Sequence, residues 1–304
     1  VEPRTHASRR RLTHTLYSIM SIQHVAVIGA GTMGNGIAQV CALAGLDVTM
    51  VDVSTAALER GRSTIASSLD RLVQKEKLQP ARRNETLQRI HTSTAYQELK
   101  SAGLVVEAAT ENLELKLRIL REIETVVSEE AVIASNTSSI SITQLAAVLT
   151  RPGRCIGMHF FNPVPVMSLL EVIRGLQTSD TTHALALEFA RVVGKTPITV
   201  RNSPGFVVNR ILCPMINEAI FVLQEGLATA EEIDAGMKLG CNHPIGPLAL
   251  ADMIGLDTML AVMRVFHEGF ADPKYRPALL LKEMVDAGRL GRKTGQGFYS
   301  YGGR

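Results

Sequence analysis

The sequence predicts an α/β chain in which a mostly parallel sheet is followed by an all-helical C-terminal part. Three observations carry this. Short β-branched apolar runs alternate with helical patterns between residues 24 and 200, as in successive βαβ units. The first run, Val25 to Ile28, leads directly into Gly29, Gly31 and Gly34 in the spacing G-x-G-x-x-G. From Phe206 onward the strand signals stop, and apolar residues recur at helical spacing.

The glycine stretch orders strand, turn and helix. A tight turn needs the first glycine, a side chain at the second would keep a pyrophosphate off the backbone, and the third lets helix and strand pack closely. The helix N-terminus then offers free N–H groups to phosphate. Glycine-rich turns are common by themselves, so the context decides: a second apolar run, Val48 to Val51, ends in Asp52, 18 positions beyond Gly34. Together these predict a Rossmann domain binding a dinucleotide. Asp52 can accept hydrogen bonds from the adenosine ribose and repel a 2′-phosphate, and Val53 and Ser54 bring no positive charge, so NAD is expected over NADP.

Residues 54–89 read as helix, with Leu58, Ile65, Leu69, Leu72 and Val73 on one side and Ser68, Arg71, Lys75 and Lys77 on the other. Such a basic cluster is ordinarily a solvated face. A second βαβ pattern follows, with Leu104 to Val106 as strand, Glu111 to Val127 as helix and Val132-Ile133 as strand. The loops after Glu107 and Ser135, carrying Glu111 and Asn136-Thr137-Ser138-Ser139, then lie at the carboxyl edge, where open α/β sheets bind ligands. Two further apolar strands carry one polar residue each, His159 and Glu171. His159 alone reads as a satisfied core histidine; beside a carboxylate it reads as a base, because the carboxylate fixes one tautomer. Pro197 to Val200 closes the sheet. Ser203-Pro204-Gly205 has the form of a helix start, with Ser as N-cap and Pro at N1. The helix from Phe206 to Leu223 is apolar on nearly every face and is expected to be buried on more than one side. Asn209 stands out within it. Gly240, Pro244, Gly246-Pro247, Gly255 and Pro277 punctuate the helices that follow. The expected divisions are an extension over 1–21, a dinucleotide-binding domain over 22–202 and a helical domain over 203–304.

The chain has 304 residues, 46% hydrophobic and 20% charged, enough for two cores. No apolar run approaches the roughly 18 residues of a membrane span. The net charge of +3 resides in residues 1–21, where Arg4, Arg9, Arg10 and Arg11 face Glu2 alone. The remaining body is neutral and shows no nucleic-acid signature. The Arg-rich stretch reads either as a transit peptide or as an extension ahead of a natural start at Met20. The expected location is cytoplasmic, or the mitochondrial matrix on the transit-peptide reading. Cys41, Cys155, Cys213 and Cys241 are widely spaced, with no metal-ligand pattern, and read as reduced, buried thiols. No metal is expected.

IGAGTMG with Asp52, SNTSS at 135–139, GMHFFNPVPVM at 157–167, LLEVI at 169–173, SPGFVVNRI at 203–211 and GRKTGQGFY at 291–299 together resemble the short-chain L-3-hydroxyacyl-CoA dehydrogenase family over about residues 22 to 301. The resemblance implies a Rossmann domain that binds NAD, a helical domain that forms a homodimer, and oxidation of the 3-hydroxyl of an acyl-CoA to a 3-keto group, with 3-hydroxybutyryl-CoA as the expected substrate. It implies that His159 is the base, that Glu171 holds it, and that Ser138 and Asn209 contact the substrate oxygen. Implied cofactor contacts are Gly29, Gly31, Thr32, Met33, Gly34, Asp52, Glu111, Lys116, Ser138, Asn162 and Lys293; Ser68 and Lys75 match positions that touch CoA. The segment after Lys77 is shorter than in the animal enzymes, which affects how Lys75 meets CoA.

The chemistry is consistent with this. A secondary alcohol is a very weak acid, so loss of hydride needs concerted removal of the proton by a base working near neutral pH, and imidazole suits. Relatives of the same fold acting on a free sugar acid such as L-gulonate would share His159 and Glu171 but have no use for Ser68 and Lys75. A 3-hydroxyadipyl-CoA dehydrogenase would look alike. A non-catalytic NAD-binding protein would have lost the base.

Overall fold

A computed structural model describes residues 22–302. The expected extension, with its two readings, lies outside the described residues. The chain divides into two compact units, the first ending at Asn202 and the second beginning at Ser203.

The first unit is built on eight strands: β1 (His24–Ile28), β2 (Asp47–Val51), β3 (Ile90–Ser93), β4 (Leu104–Glu107), β5 (Val132–Ser135), β6 (Cys155–Phe160), β7 (Leu169–Arg174) and β8 (Thr196–Arg201). They stand in the order β3-β2-β1-β4-β5-β6-β7-β8, parallel throughout except for the antiparallel pair β6–β7. The order reverses between β1 and β4, which is where such sheets bind ligands beyond the strand ends. Helices α1 (Thr32–Leu43), α2 (Thr55–Gln74), α3 (Pro80–Gln88), α4 (Leu113–Glu124), α5 (Ile142–Ala146) and α6 (Asp180–Val192) connect the strands. Val25, Ala26 and Val27 are wholly buried, the reason β1 reads as a continuous apolar run. Burying an aliphatic side chain of the size of Val27 or Ile65 stabilises by about 1.5–3 kcal/mol. Helix starts are set locally: Ser54, Asn112 and Ser179 each accept a bond from the backbone N–H three residues on.

Two expectations for this unit change. Residues 54–89 form two helices, not one, because α2 stops at Gln74, Glu76 takes a left-handed φ of 55°, and Pro80 opens α3 while biasing Gln79 toward extended backbone. Strand β3 has no apolar pattern to announce it, since only Ile90 of its four residues is buried.

The second unit is helical: α7 (Val208–Gln224), α8 (Ala230–Gly240), α9 (Pro247–Ile254), α10 (Leu256–Phe270) and α11 (Leu279–Asp286). Its core includes Ile216, Ile220, Leu248, Met259, Met263, Phe266 and Leu281. Thr229 and Glu232 form a capping box at the start of α8. Buried Asp234 accepts from Leu248 N and Ala249 N at the start of α9, and buried Asp252 accepts from Phe298 N and Tyr299 N, fastening the C-terminal segment. Ser203 does not cap a helix. Gly205 and Phe206 take φ of 72° and 54°, so the turn runs on and α7 begins only at Val208, with Arg210 Nη1 donating to Ser203 Oγ at 3.2 Å. Nor is α7 buried on several sides within the chain: Cys213, Ile216 and Ile220 face the core, while Ile211 is 68% exposed and Val207, just ahead of the helix, 40%. Cys241 is also exposed, unlike the other three cysteines.

Candidate active site

At the carboxyl end of β1 the glycines do what the spacing requires. Gly29 has φ of 100°, and a Cβ on it would lie 2.7 Å from Ala108 O in the loop after β4. A Cβ on Gly34 would lie 1.8 Å from Gly29 O, so helix and turn could not close with any other residue. A Cβ on Gly31 would meet nothing within 4 Å: the approach over this residue is open on the protein side. Gly31 is the N-cap of α1 and provides no side chain to its first N–H groups, those of Thr32 and Met33, which suits them to phosphate. Asp52 accepts from Ala30 N at 2.9 Å and Ser54 N at 3.0 Å, tying the end of β2 to the glycine turn. A cleft of about 740 Å³ opens beside it, lined by Gly29, Asp52, Val53, Tyr96 and Arg118 among others. Burial, reinforced by Glu122, Glu107 and Asp52, raises the Tyr96 phenol above its ordinary value and keeps it neutral. A glycine cradle, a bare helix N-terminus and an acid at the second strand end fit a dinucleotide.

The loops after β4 and β5 are joined by a carboxylate. Glu111 accepts from Ser138 N at 2.9 Å, Ser138 Oγ at 3.3 Å and Thr137 Oγ1 at 2.8 Å, so Glu111 sets the pose of Ser138. Lys116, one of the implied cofactor contacts, lies beneath the same loops. It is 1% exposed, and its ammonium donates to Glu107 Oε2 at 2.5 Å and Ser135 Oγ at 3.4 Å. Lys116 and Ser135 Oγ both donate to Glu107 Oε2, so the ammonium ties the ends of β4 and β5 together beneath the two loops.

His159 and Glu171 are directly paired residues of β6 and β7. Their side chains share one face of the sheet, with Nδ1 2.7 Å from Glu171 Oε2, Glu171 wholly buried and His159 nearly so. The carboxylate engages Nδ1 and fixes the orientation of the ring. Phe161 packs against the imidazole with centroids 4.5 Å apart. Asn136, at the head of the β5 loop, accepts from Phe160 N at 2.9 Å and so couples that loop to the strand of the base. Its position after an apolar strand was the only sequence signal for this role.

Of the remaining expected residues, Asn162 is exposed on the segment joining β6 to β7. Ser68 is half-buried on α2, and Lys75 is exposed at its C-cap, two turns on. Asn209 and Lys293 belong to the second unit. Asn209 is half-buried in the first turn of α7, and Lys293 is exposed and ion-paired with Asp257 at the start of α10.

A doubly wound sheet with this turn, and a buried imidazole–carboxylate pair at the same sheet edge, define a dinucleotide-dependent dehydrogenase. Residues 24–203 match the profile of the 3-hydroxyacyl-CoA dehydrogenase NAD binding domain, and residues 205–301 that of the 3-hydroxyacyl-CoA dehydrogenase C-terminal domain. A 3-hydroxybutyryl-CoA dehydrogenase of Bradyrhizobium diazoefficiens is 52% identical over 93% of this chain and 96% of its own. One from Clostridioides difficile is 47% identical over 91% of this chain and 99% of its own. The crystal structure of (S)-3-hydroxybutyryl-CoA dehydrogenase from Ralstonia eutropha shares 67% identity and a TM-score of 0.91, covering 93% of this chain and 100% of that one. The chain therefore belongs to the 3-hydroxyacyl-CoA dehydrogenase family. It is an oxidoreductase that uses NAD.

Proposed function

We propose that this chain interconverts (S)-3-hydroxybutyryl-CoA and acetoacetyl-CoA, with His159 as general base and acid and Glu171 as the residue that orients it. The observation that carries the reading is the 2.7 Å contact between His159 Nδ1 and Glu171 Oε2 at the sheet edge that also bears the glycine turn. The short acyl chain rests on the relatives, several of which are 3-hydroxybutyryl-CoA dehydrogenases.

In the oxidising direction Nε2 of His159 takes the proton of the 3-hydroxyl, and Glu171 stabilises the resulting imidazolium. Bound NAD supplies the hydride acceptor. Ser138, posed by Glu111, and Asn209 donate to the substrate oxygen and hold it in register, so orientation is the main contribution of the chain. The glycine turn with Thr32 and Met33, Asp52, Glu111, Lys116, Ser138, Asn162 and Lys293 hold the cofactor. Ser68 and Lys75 address the nucleotide end of CoA. A second copy of the chain covers α7, the working form being a homodimer, and the enzyme serves fatty-acid metabolism in the cytoplasm. Nucleic acid and membrane have no part in it.

The test is a rate comparison across acetoacetyl-CoA, longer 3-ketoacyl-CoAs and 3-ketoadipyl-CoA, each with NADH and NADPH. The highest kcat/KM is expected for acetoacetyl-CoA with NADH. A preference for the adipyl thioester, or for a free sugar acid in the reverse direction, would replace this substrate by another.

A further inference from the structure

Lys195, the residue before β8, is a buried cation that the reaction does not use. It is 7% exposed, and burial lowers its pKa below the ordinary lysine value. Among the described residues no carboxylate pairs with it. Its Nζ donates instead to two backbone carbonyls, Val164 O at 2.5 Å and Met167 O at 2.8 Å. Both lie in the segment 161–168 that joins β6 to β7, the strands of His159 and Glu171, and that carries Asn162. Taking an ammonium out of water is costly, and a fold retains one where charge-assisted bonds hold something in place.

The held segment has further contacts. Val164 is buried against α1, and a Cβ on Gly36 would lie 2.8 Å from Val164 Cβ. Thr196 N donates to Ser168 O at 2.7 Å, closing the far end of the segment onto β8. The connection is thus wedged between the phosphate-facing helix and the strand that follows Lys195. Without the ammonium, both carbonyls lose a charged donor, and the segment must shift if that of buried Val164 is to be satisfied.

We infer that Lys195 is a positioning residue for the reaction: its clamp on the Val164 and Met167 carbonyls sets where Asn162 and the outer ends of the His159 and Glu171 strands stand relative to α1. The inference rests on the dehydrogenase reading above. Catalytic orientation is sensitive to displacements on the order of 1 Å, which cost about 10²-fold.

The experiment compares the parent with Lys195→Met, which keeps length and removes the donor. Measured are kcat and KM for acetoacetyl-CoA with NADH, the dissociation constant of NADH by its own fluorescence, and melting temperature. The expected result is a folded variant with kcat lower by about 10- to 100-fold and an unchanged KM for acetoacetyl-CoA, since CoA contacts lie elsewhere. A purely structural role would lower the melting temperature and leave kcat per folded molecule intact. Lys195→Gln provides a second arm, because its shorter, uncharged side chain withdraws the charge-assisted donor from both carbonyls, and it decides the matter should Lys195→Met not fold. kcat within twofold of the parent in the deciding variant overturns the inference. A parent inactive on acetoacetyl-CoA would instead overturn the substrate reading.

Discussion

His159 and Glu171, 12 positions apart in the chain, are register partners across the one antiparallel pair of the sheet, with Nδ1 2.7 Å from Oε2. If Glu171 only filled space, Glu171→Gln would be mild. As the partner of an imidazolium it is not replaceable by an amide, and kcat should fall within the roughly 10²–10⁴-fold range of general acid–base catalysis. His159→Ala should cost about as much and the double variant little more, because residues acting as a unit are non-additive. Losses that multiply in the double variant would show that Glu171 acts independently.

Asp52 should set cofactor choice. Its carboxylate stands at the cleft with Ala30 N and Ser54 N on its two oxygens. Asp52→Asn keeps the shape and removes the charge, so the ratio of kcat/KM for NADH to that for NADPH should fall by about 10-fold or more, the scale of a charged hydrogen bond. Equal kcat/KM with both cofactors in the parent would remove the basis of the claim.

Lys75 offers a test of CoA recognition. It stays on the helical spiral of Ser68 even though α2 ends there. Lys75→Ala should raise KM for acetoacetyl-CoA and leave turnover of a truncated thioester lacking the nucleotide unchanged. An equal loss with both substrates would assign Lys75 to a plain solvated face.

The outward face of α7 predicts association. Ile211 on α7 and Val207 just before it lie exposed, while the other side of the helix is core, and such apolar surface marks an interface. Light scattering of the parent should give about twice the chain mass of 33.0 kDa, and Ile211→Glu should shift the population toward that single-chain value. A parent at the single-chain mass at micromolar concentration contradicts the dimer.

The thiols should divide three to one. Burial pushes Cys41, Cys155 and Cys213 up to about 12, so they stay protonated across the assay range, whereas Cys241 is exposed. A thiol reagent should therefore modify one cysteine per folded chain at pH 8 and four in denaturant. Raising the pH to 9 should recruit none of the buried three, because their folded pKa lies well above it. Two or more fast thiols in the native protein would contradict this burial.

Signals that are local in the chain were legible in the sequence. The alternation of apolar runs and helical patterns, the glycine turn, Asp52 and the helical second unit each depend on neighbours within a few turns, so composition and spacing determined them. The polar residues on two apolar strands marked His159 and Glu171 as exceptions to burial. Register between β6 and β7 is a long-range property, however, and only the sheet decided that the two face each other. Tertiary packing likewise put Lys116 under the loops rather than at the surface, started α7 four residues beyond Pro204, and closed Lys195 over two carbonyls. Nothing near these residues in sequence announces such an outcome, because burial and hydrogen-bond satisfaction depend on which distant segments come to lie against them.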